Sequence, residues 1–580
     1  MAGLRSLYSQ RAGTRLILMG NHAIARGAME AGVGVAAAYP GTPASEIGDA
    51  LAPDAERGDY YFEYSPNEKV AMEIAGAASA CGVRAITFMK HVGLNVAADA
   101  FMSLAYVGVK GGMVVVTSDD PSLHSSQNEQ DNRYYARIAN VPMLEPSDPE
   151  SAKDMTIAAF ALSEELEIPV LLRSTTRVSH IRGIVTCGKK QKSKAKGQFE
   201  KAPSRYVPVP ANAKKLHKVL LEKMKKAQTI SERSPFQFTK KFGERKPELG
   251  IITSGPSYNY IHDLAKEFDL PVEILKLGMT HPLPEKLITK FLKKHKKVLI
   301  LEELEPYLEE SIRSIAQKNE IKTKILGKHD GLLPCYWEFN PGIVGKAVFP
   351  LVGRKFPKPV ISGDDLPPLP TRPPVLCPAC PHRGTYYALR EALRKLKIKH
   401  VVFPTDIGCY TLGIQPPYLA ADYLLCMGSS FGTAVGFGKA QDAPVIAFIG
   451  DSTFFHAGLP ALAGSVHHSH SYIAVIMDNS TTAMTGHQPH PGLERNGMGR
   501  PAYPVSIEKI AKAMGIDLVQ VVDPYDLQKT TDAFIRALQH KKLSVLITQR
   551  ECALIARKPK IYYRINEDRC TGCKVCITRL

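Results

Sequence analysis

The sequence contains no apolar run long enough to cross a bilayer, for which about 20 consecutive apolar residues are needed. Its first twenty residues also lack an apolar signal-peptide region and a cleavage signal, because Arg5, Arg11 and Arg15 flank only the short run LILMG. These two absences argue against a membrane protein and against a secreted one. We therefore expect a cytoplasmic protein without a membrane partner.

The three-glycine fingerprint of dinucleotide-binding proteins is also missing. The stretch SGPSYNY at 254–260 could form a phosphate turn, but it contains a single glycine. Nothing else in the sequence supports a nicotinamide site. A nicotinamide-dependent dehydrogenase is therefore not expected.

The net charge of +18 is concentrated in one segment. Residues 188–246 contain 18 Lys and Arg against four Glu, so they account for 14 of these charges. A patch such as KKQKSKAK at 189–196 could bind phosphates, but no stacking aromatic residues lie between its lysines. A solvated basic connector explains this segment better than a nucleic-acid site, and no nucleic-acid partner is expected.

Repeated strand-turn-helix units fill most of the sequence. Runs of β-branched residues end in Gly, Ser, Thr or Asp before helical periodicity begins, which is typical of parallel α/β sheets. At 580 residues the chain is long enough for several domains. We predict an α/β protein with several doubly wound parallel-sheet domains. The predicted segments are 1–186, a basic connector at 187–246, 247–361, 362–560 and a short segment at 561–580.

Two polar strand ends in the segment 362–560 predict a cation site. The strand APVIAFIG at 443–450 is followed by Asp451, and the strand SYIAVIMDN at 471–479 ends on Asn479. Parallel strands place their carboxyl ends at one edge of the sheet, so this carboxylate and this amide can bind the same cation. Mg²⁺ prefers such oxygen ligands, and the carbonyl group of Thr481 is a third candidate. Two ordinary strand ends are the alternative interpretation.

The spacing of these strand ends resembles the thiamine-diphosphate motif, in which Gly-Asp-Gly is followed one βαβ unit later by paired asparagines. The present sequence has Gly-Asp-Ser at 450–452 and Asp-Asn at 478–479, so both ligand oxygens are kept. The resemblance implies that the cofactor and its Mg²⁺ bind to Gly428, Gly450, Asp451, Ser452, Asn479 and Thr481.

A thiamine enzyme also needs a glutamate that hydrogen-bonds to the aminopyrimidine ring of the cofactor. The segment SPNEKVAMEIAGAASACG at 65–82 is similar to the pyrimidine-binding domains of that superfamily, with Glu68 opening a helix of small residues. The resemblance implies that Glu68 fills this role, and Glu73 is the alternative. For either residue the plainer explanation is an acid that interacts with the helix dipole.

Further stretches resemble the large subunit of the indolepyruvate:ferredoxin oxidoreductase family and occur in the family's order along nearly the whole chain. The wider relatives are the pyruvate and 2-oxoglutarate ferredoxin oxidoreductases. The resemblance implies a pyrimidine-binding domain at 1–186, a transketolase C-terminal-like domain at 247–361 and a diphosphate-binding domain at 362–560. The stretches are AYPGTPASEI (38–47), FMKHVGLNVAADAF (88–101), LKLGMTHPLPEKL (275–287), LCPACPHRGTYYALR (376–390), TDIGCYTLG (405–413) and MDNSTTAMTGHQPHPG (477–492).

The resemblance implies an enzyme that converts an aryl 2-oxoacid, coenzyme A and oxidised ferredoxin into an aryl-acyl-CoA, CO₂ and reduced ferredoxin. A smaller subunit would be its partner. By position, Thr42 would contact the substrate carboxylate, and Lys90 and His91 would line the pocket. In the plainer alternatives Thr42 only caps a helix that begins near Pro43, and the other two are satisfied polar residues at a strand end.

Seven of the eleven cysteines occur in recognisable relationships, and in a cytoplasmic protein such spacings indicate metal binding rather than disulfides. Cys377, Cys380, Cys409 and Cys552 match the family positions that bind a [4Fe-4S] cluster close to the thiamine cofactor. A zinc site with the same ligands is the competing interpretation.

The C-terminal stretch EDRCTGCKVCITRL at 567–580 resembles the beginning of a bacterial-type ferredoxin module. Cys570, Cys573 and Cys576 have the expected C-x₂-C-x₂-C spacing. The family's module continues to a fourth cysteine and a second cluster motif, whereas this sequence ends at Leu580. We therefore expect an incomplete ferredoxin-type cluster.

Two other functions are kept as alternatives. A non-oxidative thiamine-dependent 2-oxoacid decarboxylase would release CO₂ without reducing ferredoxin, although the two cysteine sets argue against it. A catalytically silent electron-transfer or scaffold subunit would keep the fold without binding thiamine diphosphate.

Overall fold

Four β-sheets organise the residues that this computed structural model describes, which are 7–8, 11–58, 60–194, 196–357, 367, 370, 372–556 and 564–578. The chain divides into two units, residues 1–366 and 367–580. None of the helices in these described ranges is long and apolar enough to cross a membrane. The domain boundaries at 186 and 246 stay predictions, and those at 361 and 560 lie outside the described residues.

The strands belong to one unit or the other. The strands of the first unit are β1 (Arg15–Met19), β2 (Val35–Ala38), β3 (Tyr61–Tyr64), β4 (Ala85–Lys90), β5 (Met113–Asp119), β6 (Met143–Leu144), β7 (Val170–Thr175), β8 (Arg182–Thr186), β9 (Phe238–Lys241), β10 (Leu249–Ser254), β11 (Val272–Leu277), β12 (Met279–His281), β13 (Lys297–Leu301) and β14 (Lys324–Leu326). The strands of the second unit are β15 (Ile446–Gly450), β16 (Ile473–Asp478), β17 (Leu518–Val522) and β18 (Ser544–Gln549).

The helices alternate with these strands along most of the chain. In the first unit they are α1 (Gly20–Glu30), α2 (Ser45–Ala55), α3 (Glu68–Ala80), α4 (His91–Val96), α5 (Ala98–Val107), α6 (Arg133–Ala139), α7 (Pro149–Leu166), α8 (Thr176–His180), α9 (Pro203–Tyr206), α10 (Pro210–Ser231), α11 (Ser257–Glu267), α12 (Glu285–Lys294), α13 (Tyr307–Lys318) and α14 (Pro341–Leu351). In the second unit they are α15 (Pro381–Lys395), α16 (Ser430–Ala440), α17 (Asp451–Thr453), α18 (Leu459–His467), α19 (Ile507–Ala513), α20 (Leu527–His540) and α21 (Val575–Thr578).

The largest sheet of the first unit has seven strands in the order β12-β6-β7-β5-β4-β2-β3. Its strands are parallel except for the edge strand β12, which is antiparallel to β6. The central strands β4, β5 and β7 are buried along their whole length. This burial explains their continuous apolar runs, since helices cover both faces of a parallel sheet.

A second sheet of the first unit has the order β14-β13-β10-β11-β9. The edge strand β9 is antiparallel to β11, and the other strands are parallel. Both β9 and the 22-residue helix α10 belong to the basic segment. One side of α10 buries Leu220, Met224 and Ala227, while most of its lysines are exposed. The basic segment therefore forms a helix and a strand, which the interpretation as a solvated connector does not predict.

A buried ion network within the first unit connects the residues near its two large sheets. The guanidinium group of Arg133 contacts Asp131 at 2.5 Å and Glu302, which follows β13, at 2.6 Å. All three side chains are almost fully buried. Breaking such a network by removing one partner leaves an uncompensated charge, so the contacts hold the two sheets in a defined arrangement.

The sheet of the second unit contains four parallel strands in the order β15-β16-β18-β17. After β15 the chain forms α17, one π-helical turn at Phe454–Gly458 and α18 in direct succession. Single π turns within helices occur frequently at functional sites. The carboxyl ends of β15 and β16 lie at the same edge, as the motif spacing predicts.

The predicted α/β fold with parallel sheets is confirmed, with one difference at the start of the chain. Strand β1 does not join a parallel sheet but pairs with β8 in a separate antiparallel two-stranded sheet. Its residues are mostly exposed or half-buried, and Ile17 has 74% of its surface exposed. An apolar run alone could not distinguish this exposed ribbon from a buried parallel strand.

Candidate active site

The four predicted catalytic residues lie at the carboxyl edge of the seven-stranded sheet. Thr42 follows β2, Glu68 begins α3 after β3, Lys90 ends β4 and His91 begins α4. Because β2, β3 and β4 are parallel neighbours, their carboxyl ends share one edge. The fold therefore places these residues at the edge where open α/β sheets bind their ligands.

Thr42 and Lys90 are connected through the loop that follows β5. The ammonium group of Lys90 donates a hydrogen bond to the carbonyl oxygen of Ser125 at 2.6 Å. The hydroxyl group of Ser125 donates to the carbonyl oxygen of Thr42 at 3.4 Å. Thr42 and Ser125 also line a cavity of about 450 Å³, together with His124, Thr176, Arg177, His180, Ile181 and Glu338.

The capping role considered for Thr42 is wrong. Helix α2 begins at Ser45, and Ala44 occupies the N-cap position without a side-chain hydrogen bond. Thr42 therefore lies in the loop before the helix, where its side chain is half-buried at the cavity.

Lys90 and His91 are both buried, and burial shifts the pKa of each toward the neutral form. Burial lowers the pKa of Lys90 to about 8, although the charge of Asp120 opposes the shift. Burial and the neighbouring Lys90 charge lower the pKa of His91 to about 4. His91 Nε2 lies 3.1 Å from Asn128 Oδ1, while the buried Nδ1 has no hydrogen-bond partner among the described residues. A neutral ring can therefore accept one hydrogen bond from a bound molecule.

Glu68 and Glu73 occupy different environments on α3. Glu68 is buried, and a Cβ atom at Gly93 would lie only 2.6 Å from Glu68 Oε1, so the carboxyl group lies against the start of α4. Asn67 caps the helix by accepting from the amide of Val70 at 2.9 Å. Glu73 instead is about half exposed and forms an ion pair with Lys69. Because Glu73 lies on the surface, Glu68 is the better candidate for the functional acid.

In the second unit, Asp451 is a buried carboxylate at the end of β15. Its Oδ1 accepts a hydrogen bond from the Ser452 amide at 2.8 Å, and its Oδ2 lies 3.0 Å from His490 Nε2. Burial alone would raise the pKa of Asp451, but the His490 ring and the Ser452 amide hold it below its ordinary value. These contacts favour the ionised form of Asp451, which is the form that binds Mg²⁺.

The segment after β16 lies against the Asp451 segment. The hydroxyl of Thr482 donates to the hydroxyl of Ser452 at 2.9 Å, and Thr481 is buried beside it. Asn479 is also buried, and its Oδ1 has no hydrogen-bond partner among the described residues. An amide oxygen without a partner costs about 1–3 kcal/mol unless a ligand satisfies it. The residues present thus fit a Mg²⁺ ion bound to Asp451 and Asn479.

Asp478 takes the place of the first asparagine of the motif, and its carboxyl group is hydrogen-bonded to other residues of the chain. It accepts hydrogen bonds from the Ser480 amide at 3.0 Å and from Gln549 Nε2 at 2.7 Å. Burial and the charge of Asp451 raise the pKa of Asp478 to about 6. The departure from the motif therefore leaves no unpaired group at this position.

Two glycines of the candidate cofactor site are required by close packing. A Cβ atom at Gly450 would lie 2.6 Å from Cε1 of Tyr410, and one at Gly428 would lie 2.5 Å from the Cβ of Ala457. Gly428 also has a φ of +83°, which disfavours any other residue. The Tyr410 hydroxyl bonds to Asp406 and lies 3.2 Å from Thr453 Oγ1, so this ring fixes the turn at the end of β15.

The four internal cysteines lie close enough to influence one another's pKa values. Burial raises the pKa of Cys409 to about 12, and Cys380, Cys552 and Cys377 contribute in that order. Burial likewise raises the pKa of Cys380 to about 11, with Cys552 and Cys377 as further causes. The amide of Cys552 also donates to the carbonyl oxygen of Asn479 at 3.0 Å. The thiols therefore neighbour the candidate Mg²⁺ site.

No three His, Cys, Asp or Glu side chains within the described ranges lie close enough to hold a single metal ion. One zinc ion requires all of its thiolates within about 2.3 Å of one centre. A [4Fe-4S] cluster instead binds each thiolate to a different iron, so its ligands stand farther apart. The choice between a [4Fe-4S] cluster and zinc for the four thiols stays a prediction.

Comparisons with known proteins agree with this geometry. A family model described as pyruvate flavodoxin/ferredoxin oxidoreductase, thiamine diphosphate-binding, matches residues 26–237. A second, described as thiamine pyrophosphate enzyme, C-terminal TPP binding domain, matches residues 406–548. The chain is 48% identical to the indolepyruvate oxidoreductase subunit IorA of Methanothermobacter thermautotrophicus over 585 aligned residues, which cover 100% of this chain and 93% of that protein. The chain belongs to the IorA family.

Other members of the IorA family show similar identity. The IorA subunit of Archaeoglobus fulgidus is 44% identical, with 97% of this chain and 92% of that protein covered. A solved 2-oxoglutarate:ferredoxin oxidoreductase from Magnetococcus marinus is similar at 16% identity and a TM-score of 0.46, covering 58% of this chain and 65% of that one. The 48% identical relative and the two family models, and not this solved structure, show that the chain is a thiamine-diphosphate-dependent enzyme of the 2-oxoacid:ferredoxin oxidoreductase family.

The structure of this IorA-family chain also identifies residues that the sequence motifs did not single out. His490 and Tyr410 lie within stretches that resemble the family, but only the fold shows that they contact Asp451 and the Gly450 turn. The three C-terminal cysteines, Cys570, Cys573 and Cys576, are exposed and do not form a metal-binding group among the described residues. Their proposed cluster stays a prediction.

Proposed function

We propose that this protein, with a smaller partner subunit, oxidatively decarboxylates aryl 2-oxoacids of the indolepyruvate type. One 2-oxoacid, one coenzyme A and two oxidised ferredoxins give one acyl-CoA, one CO₂, one proton and two reduced ferredoxins. The observation that carries the proposal is the buried Asp451 carboxylate beside the unpartnered Asn479 oxygen, with four cysteines around the same strand ends. Oxygen ligands for Mg²⁺ and thiolates for iron then occur in one unit.

In the proposed site, Asp451, Asn479 and the Thr481 carbonyl bind Mg²⁺, while Gly428, Gly450 and Ser452 surround the diphosphate. Thiamine diphosphate supplies the electron-accepting ring that allows the bond between C1 and C2 of a 2-oxoacid to break. Close packing against Tyr410 and Ala457 requires glycine at positions 450 and 428, and backbone groups there would be available to bind the diphosphate.

The chain's own groups handle the protons and the substrate. Glu68 would hydrogen-bond to the aminopyrimidine ring of the cofactor, and its burial keeps this carboxyl group away from water. Thr42 lines the 450 Å³ cavity and Lys90 donates to Ser125 of the same lining, so these two residues would bind the substrate carboxylate. The free Nδ1 of His91 accepts a hydrogen bond in the same region.

The internal cysteines would hold the group that accepts the electrons. Cys377, Cys380, Cys409 and Cys552 would bind a [4Fe-4S] cluster, which accepts one electron at a time and passes it on. Zinc could not perform this step because it has no redox chemistry. The C-terminal cysteines would belong to a further electron carrier on the way to ferredoxin.

The function is tested by an anaerobic assay of the chain together with its small subunit. We expect indolepyruvate and phenylpyruvate to reduce ferredoxin or viologen dye in the presence of coenzyme A, with faster turnover than pyruvate. Faster turnover with pyruvate would refute the aryl specificity. Release of CO₂ without dye reduction would identify a non-oxidative decarboxylase instead, and absence of Mg²⁺-dependent cofactor binding would identify a silent subunit.

A pH dependence follows from the lowered pKa of Lys90. Its ammonium group predominates below pH 8 and is lost as the pH rises through about 8, so attraction for the substrate carboxylate falls in that direction. We expect the KM for the 2-oxoacid to rise about 10-fold between pH 7 and pH 9, equivalent to about 1.4 kcal/mol. Lys90→Met should show the high KM at every pH, measured from initial rates between pH 6.5 and pH 9.5.

The control for Lys90 is Lys293→Met, which removes an exposed charge from α12 in the same unit. It should leave the KM profile unchanged. A KM that is flat between pH 7 and pH 9, together with an unaltered KM in Lys90→Met, would exclude Lys90 from substrate binding.

A further inference from the structure

We propose that His490 is a positioning residue that holds the Asp451 carboxylate in the orientation required for Mg²⁺. The inference rests on the proposed Mg²⁺ and thiamine diphosphate site and adds a residue that is neither a metal ligand nor in contact with the substrate. It follows from the contacts that fix the imidazole ring.

Three contacts clamp the His490 ring. Nε2 lies 3.0 Å from Asp451 Oδ2, and the Gly492 amide donates to Nδ1 at 3.1 Å. The ring also stacks on Phe455 in the π-helical turn, with centroids 5.8 Å apart and an interplanar angle of 29°. His490 is buried, so water does not compete for these contacts. Both ring nitrogens and one face of the ring therefore contact other groups of the protein.

The backbone also determines which nitrogen of His490 carries the hydrogen. The Gly492 amide can only donate, so Nδ1 accepts and the ring hydrogen that faces Asp451 lies on Nε2. Nε2 therefore donates to Asp451 Oδ2. This hydrogen bond orients the carboxylate, as the partners of metal ligands do.

Gly492 makes this arrangement possible. A Cβ atom at this position would lie 3.0 Å from His490 Cε1 and 3.2 Å from Phe455 Cε2. Both distances are shorter than ordinary carbon contacts, so a larger residue would displace the ring from Asp451. The sequence His490-Pro491-Gly492 is accordingly a compact loop that holds the donor in place.

With Oδ1 bound to the Ser452 amide and Oδ2 to His490, the Asp451 carboxylate is fixed at both oxygens. The Asp478 side chain also contacts this carboxylate, which has about four lone-pair sites, so the three contacts still leave one for a metal ion. Partners of metal ligands typically change metal affinity about 10- to 100-fold when they are removed. We expect an effect of this size on Mg²⁺ binding, without loss of the chemical step once the site is filled.

The test compares three variants of the full chain. His490→Phe keeps the stacking ring but has no donor, His490→Asn has a donor too short to reach Asp451, and His490→Gln places an amide N–H near the position of Nε2. The Mg²⁺ concentration that half-saturates thiamine diphosphate binding is measured by titration calorimetry. We expect about a 10- to 100-fold increase for the Phe and Asn variants and a value within about 5-fold of wild type for the Gln variant.

His400→Phe, an exposed substitution in the same unit, is the matched control and should bind like wild type. Thermal unfolding without Mg²⁺ checks that each variant folds, and the two amide variants decide the outcome if the Phe variant does not. Unchanged or tighter Mg²⁺ binding in the Phe and Asn variants would overturn the inference, as would equal weakening in Gln and Asn. A wild-type chain that binds no cofactor with Mg²⁺ would overturn the proposed function, and this inference with it.

Discussion

Asp451→Asn should abolish Mg²⁺-dependent binding of thiamine diphosphate and all oxidation of 2-oxoacids. The substitution keeps the shape of the side chain but removes the negative charge that a Mg²⁺ ligand requires. It also allows an amide NH₂ group to face the His490 Nε2 donor or the Ser452 amide, where the wild-type protein has acceptors. We expect cofactor affinity to fall by about 100-fold or more, measured by titration calorimetry at a fixed Mg²⁺ concentration.

Asp517→Asn is the control for this loss of charge. Asp517 is exposed in the same unit and forms only a surface contact with Lys542 at 3.4 Å. Exposed pairs contribute about 1 kcal/mol or less, so this variant should bind the cofactor normally. Normal binding by Asp451→Asn would show that the Gly-Asp-Ser turn is an ordinary strand end.

The second large effect concerns the internal thiols. Cys552→Ser and Cys409→Ser should each remove the internal [4Fe-4S] cluster, because serine does not replace a thiolate as a ligand for this cluster. Iron should fall by about four atoms per chain, and the rate of viologen dye reduction should fall by about 100-fold or more. Binding of thiamine diphosphate should persist in both variants, because the bond from the 552 amide to the Asn479 carbonyl comes from the backbone.

Iron and acid-labile sulfide are counted on anaerobically purified protein, with zinc measured in the same samples. Cys426→Ser serves as control, since Cys426 is exposed in the same unit and outside the four-thiol set. It should keep its iron and its activity. An unchanged iron content in Cys552→Ser, or zinc in place of iron in the wild-type chain, would contradict the cluster.

The sequence predicts well which residues of the candidate site follow buried strands. Asp451 and Asn479 follow buried parallel strands, and Glu68 follows an asparagine that caps a helix, so local pattern and sheet topology together place them. The exposed position of Glu73 was not predictable from its type, because the burial of a helical acid depends on what packs against that face. Only the fold showed that the carboxyl group of Glu68 packs against Gly93.

The contacts that hold the site were beyond sequence reasoning. His490 lies 39 positions from Asp451, and no local spacing rule connects an imidazole in a loop to a carboxylate on a distant strand. The ring of Tyr410 explains Gly450 only when the two are seen in contact. The basic segment shows a similar limit, since its charge is obvious while helix α10 depends on tertiary burial of a few apolar side chains.

The hydrogen bond from the Cys552 amide to the Asn479 carbonyl connects the proposed Mg²⁺ site to the proposed cluster site. The acceptor, Asn479, is a proposed Mg²⁺ ligand, and the donor, Cys552, is a proposed ligand of the iron-sulfur cluster. A substitution that shifts the Asn479 backbone is therefore expected to shift the backbone of Cys552 as well.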